Sequence, residues 1–165
     1  MADHVDRVLE QWARERPDMD ASPMGVIGRL GRLSRLIDAE LRRTFAAHGL
    51  DHASFDVLAT MRRSGPPYRL NPAELMRSAM VTSGAITQRL DRLEARGLVA
   101  RSPSETDGRA VHVTLTEEGH ALIDRVLPDH LATEHRVLSG LTDARQGELA
   151  GLLRELLESL GDRPD

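Results

Sequence analysis

Residues 98–119 read LVARSPSETDGRAVHVTLTEEG. Two β-rich runs flank a polar tip that ends Asp107-Gly108-Arg109. Val111, Val113 and Leu115 alternate with His112 and Thr114, so the three apolar side chains are expected to point inward and the other two outward. The tip, SPSETDGR, holds turn residues and no apolar anchor. The stretch therefore reads as a β-hairpin that carries one arginine outward, with an aspartate two residues before it.

What precedes the hairpin gives that arginine a context. Asn71-Pro72-Ala73-Glu74 is a sharp helix start, with Asn as N-cap, Pro at the first helical position and Glu at the third. This short helix is expected to end near Ala79-Met80. Val81 and Thr82 turn the chain, and a second helix runs over 82–96 until Gly97 stops it. Two helices joined by a short turn and followed by a hairpin make a winged helix-turn-helix. The second helix would lie in a major groove. Opposite its Ile86–Leu90–Leu93 stripe it offers Thr82, Ser83, Gly84, Thr87 and Gln88, short polar groups near its N-terminus that reach base edges and phosphates. Arg109 at the hairpin tip fits a narrow minor groove, where the potential is most negative. Asp107 cannot itself favour DNA; it suits aiming the Arg109 guanidinium.

The chain has 165 residues and a net charge of -4. That net value argues against nucleic acid, but its distribution does not. Residues 1–60 hold 8 Arg against 10 acids, 61–109 hold 9 against 5, and 110–165 hold 5 against 11. The middle third is a basic island, and the local field steers a protein onto phosphates. With no cysteine, disulfides and thiolate metal sites are excluded. No apolar run approaches the roughly 20 residues that span a bilayer. The charged start, MADHVDRVLEQWARERPD, lacks a signal-peptide apolar region. A soluble cytoplasmic protein of a bacterium, with no membrane partner, is the expectation.

Helices are expected on both sides of the winged unit. Residues 3–15 place Val5, Val8, Leu9 and Trp12 on one stripe. Pro17 closes that helix, and a long one follows over about 23–48, stopped by Gly49. Asp51 caps a helix over roughly 52–63, and Tyr68-Arg69-Leu70 reads as a short strand. Thr116 caps the helix after the hairpin, which Pro128 should kink or break. A last helix from Thr142 carries six leucines between 149 and 160. The fold class is mainly α with a small β-hairpin wing. The organisation expected is an extra N-terminal helix over 1–20, dimerisation helices over 21–50 and 116–165, and a winged helix-turn-helix over 51–115.

The run LDRLEARGLVARSPSETDGRAVHVTLTEEG resembles the MarR family of bacterial transcription regulators in RLEARGLV, in the D-x-R tip at 107 and 109, and in VHVTLTEEG. The similarity covers roughly 25 to 160. It implies a homodimer built from the N- and C-terminal helices, binding a pseudopalindromic operator in double-stranded DNA with one recognition helix per half-site. QWARERPDMD followed by SPMGVIGRL resembles a subgroup that includes urate-responsive regulators and a sensor of aconitate-type tricarboxylates. That subgroup couples an added first helix bearing a Trp to a charged pocket. The positions matching its pattern are Trp12, Asp56 in SFDVLATM, Arg89 in ITQRLDRLE and Arg101 in LVARS.

Arg89 borders an apolar stripe, and a guanidinium held there needs an anion. Asp56 is one candidate, as a structural ion pair, and a small anionic effector is the other. Trp12 offers a flat face to a planar ligand, or anchors the core. Arg101 suits positioning the wing or a phosphate as well as a ligand. No cofactor is implied. The seven histidines show no convincing zinc spacing, which leaves a metal sensor as a minor alternative. An enzyme is not expected, because a phosphate-binding Gly-rich loop, a nucleophile elbow and a His-Glu metal motif are all missing from the sequence. The remaining alternative is an architectural winged-helix module without a ligand.

Overall fold

A computed structural model describes residues 2–78, 86–103 and 111–162. Its elements follow the start and stop residues of the sequence closely. Helix α1 (His4–Glu15) begins at a capping box: the Asp3 carboxylate accepts from the Val5 and Asp6 amides at 2.7 and 3.0 Å, and Asp6 accepts from the Asp3 amide at 2.8 Å. Helix α2 (Pro23–Ala47) starts on Pro23 and ends where Gly49 takes φ 66°. That left-handed residue lets the Leu50 amide reach back to the Phe45 carbonyl at 2.9 Å. Helix α3 (His52–Arg63) is capped by Asp51, which accepts from the Ser54 amide at 2.7 Å.

The winged unit follows as strand β1 (Arg69–Leu70), helix α4 (Pro72–Ser78), helix α5 (Ile86–Ala95) and strands β2 (Val99–Pro103) and β3 (Val111–Leu115). Asn71 and Glu74 exchange the two capping hydrogen bonds of α4 at 2.8 and 2.9 Å. The sheet is antiparallel, ordered β1-β3-β2, with Arg69 opposite Thr114 and Val99 opposite Leu115. Helix α6 (Glu117–Leu138) is capped by Thr116, and helix α7 (Asp143–Ser159) by Thr142.

One apolar cluster holds these parts together. It joins Leu41 and Phe45 of α2 to Leu58 and Met61 of α3, Leu75 of α4, Leu90 and Leu93 of α5, Val99 and Val113 of the sheet, and Ile123 and Val126 of α6. Phe45 stacks on Phe55 with centroids 4.2 Å apart, and the His130 ring packs on both, at 5.6 and 4.6 Å.

Two expectations differ from the structure. Val111 is 40% exposed rather than inward. It pairs with Pro103 at the far end of the hairpin, past the reach of the core that covers Val113 and Leu115. Its neighbour His112 is half-buried, as is Thr114, on the strand face opposite the buried Val113 and Leu115. Pro128 does not break its helix, and α6 runs on to Leu138. Tertiary contacts on both sides offset the missing amide: Leu122, Ile123 and Val126 are buried before it, and after it Thr133 is buried and shares a 2.7 Å hydroxyl contact with Thr44 of α2.

The ends of the chain leave apolar surface bare. Helix α7 buries none of its side chains; its Leu152 and Leu157 are exposed, as is Leu160 at its C-cap. Val26, Ile27, Leu33 and Leu36 of α2 are exposed as well. Exposed apolar side chains that join into one patch mark an interaction face.

Candidate nucleic-acid interface and effector pocket

Helix α5 buries Ile86, Leu90 and Leu93 and exposes Thr87 and Gln88. Those two of the expected base-reading residues therefore face solvent, on the side away from the core. Thr82, Ser83 and Gly84 lie outside the described residues, as do Asp107 and Arg109 between the last described pair of the hairpin, Pro103 and Val111.

Arg101 lies on β2, against α5. Its Nη1 donates to Asp91 Oδ1 at 2.6 Å and to Glu94 Oε2 at 3.3 Å, and its Nη2 donates to the Thr87 carbonyl at 3.2 Å. The Arg101 amide donates to Glu94 Oε1 at 2.9 Å. The guanidinium thus clasps β2 to the helix beside it. Asp91 and Glu94 were missed in the sequence. Their signal was there: two acids three residues apart on one helix, followed by an arginine on the next strand.

The clasp makes a distinguishable prediction. Arg101→Ala is expected to weaken binding of any DNA that α5 and the wing grip together by about tenfold, or about 1.4 kcal/mol. The dependence of log K on log salt should keep its slope, because no phosphate contact is lost. If Arg101 instead touched a phosphate, the slope would fall by about 0.9. Fluorescence-anisotropy titrations at several salt concentrations read both quantities.

Asp56, on α3, is only 5% exposed, and its Oδ2 has no hydrogen-bond partner. Arg89, on α5, is half-buried, and its Nη1 is buried without a partner. The two therefore do not form the ion pair that the sequence offered as one reading. A different carboxylate feels Arg89. Burial pushes the Asp51 carboxyl up, but hydrogen bonds from the Ser54 amide and hydroxyl, with the positive fields of Arg89 and Arg92, bring it below its ordinary value. Arg89 is thus close enough for its charge to reach Asp51 at the start of α3, while its Nη1 has no partner. Thr60, one helical turn from Asp56 and fully buried, also has an unpartnered hydroxyl, which the sequence gave no means of noticing. Unsatisfied buried polar atoms are uncommon in native folds and each calls for a reason.

Trp12 stands apart from this group. It is 41% exposed rather than a core anchor. The hollow of about 440 Å³ beside it is lined by Gln11, Arg14 and Glu15 of its own helix, and by none of Asp56, Arg89 or Arg101. His48 Nε2 lies 2.8 Å from Asp129 Oδ2, and His120 Nδ1 lies 3.2 Å from Asp124 Oδ2. Among the described residues, no three His, Asp or Glu side chains gather as metal ligands. No described helix is long and apolar enough to cross a membrane.

Comparison with known proteins agrees with this architecture. Residues 48–110 match the family model described as MarR family. The chain is 43% identical over 149 residues to the HTH-type transcriptional regulator PecS of Dickeya dadantii (strain 3937), covering 90% of each protein. Among solved structures it resembles Sco3205, a MarR family transcriptional regulator from Streptomyces coelicolor in complex with DNA. The TM-score is 0.78 at 26% identity, over 89% of this chain and 95% of that one. It also resembles BpsR of Bordetella bronchiseptica, whose DNA binding is regulated by 6-hydroxynicotinic acid. There the TM-score is 0.71 at 27% identity, over 80% of this chain and 98% of that one. These relatives are regulators rather than enzymes. The chain belongs to the MarR family, and is a DNA-binding transcriptional regulator built as a winged helix-turn-helix between long flanking helices.

Proposed function

We propose that this regulator is a homodimeric repressor released from a pseudopalindromic operator by a small anionic effector of the urate type. The observation that carries the reading is Arg89: a buried, unpartnered guanidinium nitrogen on α5, the helix that exposes Thr87 and Gln88. An anion that accepts from Arg89 Nη1 gains a charge-assisted hydrogen bond in a partly dehydrated site. It also repels the buried Asp56 carboxylate. Both effects press on the α3–α5 contact. A shift of α5 in each subunit changes the separation of the two recognition helices, and the specific complex weakens.

Three further observations support the reading. The bare apolar faces of α2 and α7 give a second copy of the chain a surface to cover. Thr87 and Gln88 are exposed on α5. BpsR, the similar regulator named above, answers to 6-hydroxynicotinic acid, a small planar acid. DNA-contacting roles for Thr82, Ser83, Gly84, Asp107 and Arg109 belong to this proposal, as do ligand-contacting roles for Asp56 and Arg89. The proposed location is the bacterial cytoplasm, where the operator is. The test is a titration of the operator complex with urate, beside parallel titrations with citrate and aconitate. Release by urate supports the reading, release only by the tricarboxylates replaces the effector class, and a flat response to all three leaves a winged-helix regulator without a small-molecule effector.

A further inference from the structure

Between Val57 and Leu90 the chain carries five arginines and one acid, Glu74. The fold uses the five differently. Arg62 is neutralised by Asp124 of α6, its Nε 2.8 Å from Oδ1. Arg89 is half-buried on α5. Arg69 is exposed on β1 opposite Thr114, on the sheet face turned away from the buried Val113. Arg101, which pairs with Val113, donates to α5, so that face also looks away from α5. Arg63 and Arg77 remain. Both are exposed, and among the described residues neither has a carboxylate at ion-pair distance, the ion pairs of the winged unit being those of Arg62 and Arg101. Glu74 accepts from the Asn71 amide at 2.8 Å, at the other end of α4. The segment that follows α4, residues 79–85, contains no Asp or Glu.

Arg63 is held in place without losing its charge. Its Nη2 donates to the carbonyl of Ser78, the last residue of α4. Carbonyls at the end of a helix carry partial negative charge, which favours a guanidinium there. A carbonyl cancels no full charge, however, and a guanidinium has five N–H donors, so most of them stay available. Arg77, the residue before Ser78, lies in the last turn of the same helix. Two uncancelled positive charges are thus set where α3 meets the end of α4 and the chain leaves for α5.

We infer that this corner grips the DNA backbone, with Arg63 and Arg77 each donating to a phosphate beside the groove that α5 enters. The first helix of a helix-turn-helix crosses the backbone, and the Ser78 contact brings a residue of α3 to the same edge. The planar fork of a guanidinium matches phosphate oxygens. Its anchorage on Ser78 leaves Arg63 less side-chain freedom to lose on binding. Phosphate contacts carry no sequence information but fix orientation, so the corner sets the angle at which Thr87 and Gln88 meet the bases. The inference rests on the groove placement of α5 and is independent of the effector.

Anisotropy titrations over a salt series test it on two duplexes of equal length, one from upstream of the protein's own gene and one of unrelated sequence. Arg63→Ala and Arg77→Ala are each expected to lower the slope of log K against log salt by about 0.9 for every phosphate contact removed. That is the opposite of the result expected for Arg101→Ala. The loss should be equal on both duplexes, because a phosphate contact reads no base. Arg63→Lys and Arg77→Lys keep the charge and should recover most of the slope. Arg7→Ala controls for net charge. Arg7 is exposed on α1, which packs through Val5 and Leu9 on Gly28 and Gly25, whereas the far end of α2 meets α3 through Phe45 and Phe55. Its slope should match that of the parent. A parental slope in either alanine variant, beside a parent that binds both duplexes, overturns the inference and leaves DNA reading by α5 intact. An equal fall in Arg7→Ala also overturns it, because net charge rather than the corner then sets the slope.

Discussion

Gly119→Ala is expected to destabilise the protein by about 2–3 kcal/mol, the upper range for forcing atoms into a packed site. For a chain of this size that lowers the melting temperature by about 4–12 °C. A Cβ at position 119 would stand 2.0 Å from the Leu98 carbonyl oxygen, 2.9 Å from Leu115 Cδ1 and 3.0 Å from the Leu98 carbonyl carbon. The first of these is backbone and cannot rotate away. Leu98 is also pinned: its amide donates to the Leu93 carbonyl at 2.9 Å, and its carbonyl accepts from the Thr116 amide at 3.2 Å. Thr116 in turn donates from its hydroxyl to the Gly97 carbonyl at 2.7 Å while capping Gly119. The first turn of α6 is thereby seated on the α5–β2 junction, so any expansion there must move α6 or the recognition helix. Circular-dichroism melts measure the effect. Gly147→Ala, with nothing within 4 Å of its added methyl group, is the control and should lose nothing. A Gly119→Ala variant as stable as the parent would show that this seat is loose.

The second large effect concerns control. Arg89→Ala should leave operator affinity within about threefold, because its Nη1 is buried whereas Thr87 and Gln88 are exposed. The response to urate should disappear. Effector couplings of about 1–3 kcal/mol correspond to about 5- to 150-fold changes in affinity, and the variant should show a ratio near one. Gel retardation across a urate series reads both quantities at once. Full sensitivity in the variant would remove Arg89 from the mechanism, and loss of operator binding without urate would assign it to DNA contact instead.

Much of this architecture was legible from local chemistry. Asp51, Asn71, Thr116 and Thr142 each cap the helix they precede, and Gly49 and Gly97 each take the left-handed backbone that stops one. Such signals act over three or four residues, so a sequence displays them directly. The misreadings came from tertiary context. Pro128 breaks helices in isolation, but here packing on both sides carries α6 through it. Val111 kept the alternation of its strand and still fell beyond the core. Asp56 and Arg89 were correctly placed on facing elements, yet whether two long side chains meet depends on ångström-scale packing that periodicity does not encode. Trp12 sits level with the start of α2, far from Asp56, a separation that spacing along the chain does not encode. The antiparallel seating of α1 on the Gly25 and Gly28 face supplied the missing geometry.

DNA binding through α5 and the arginine of the hairpin tip is most directly tested with a labelled fragment from upstream of the protein's own gene. Anisotropy titrations at low salt compare the unmodified chain with Arg109→Ala. Tight, salt-sensitive binding by the parent is expected, with a loss of about 1–3 kcal/mol, or about 5- to 150-fold, when the arginine is removed. Failure of the parent to bind the fragment, or an Arg109→Ala curve that overlays it, would contradict the placement of the wing in a groove.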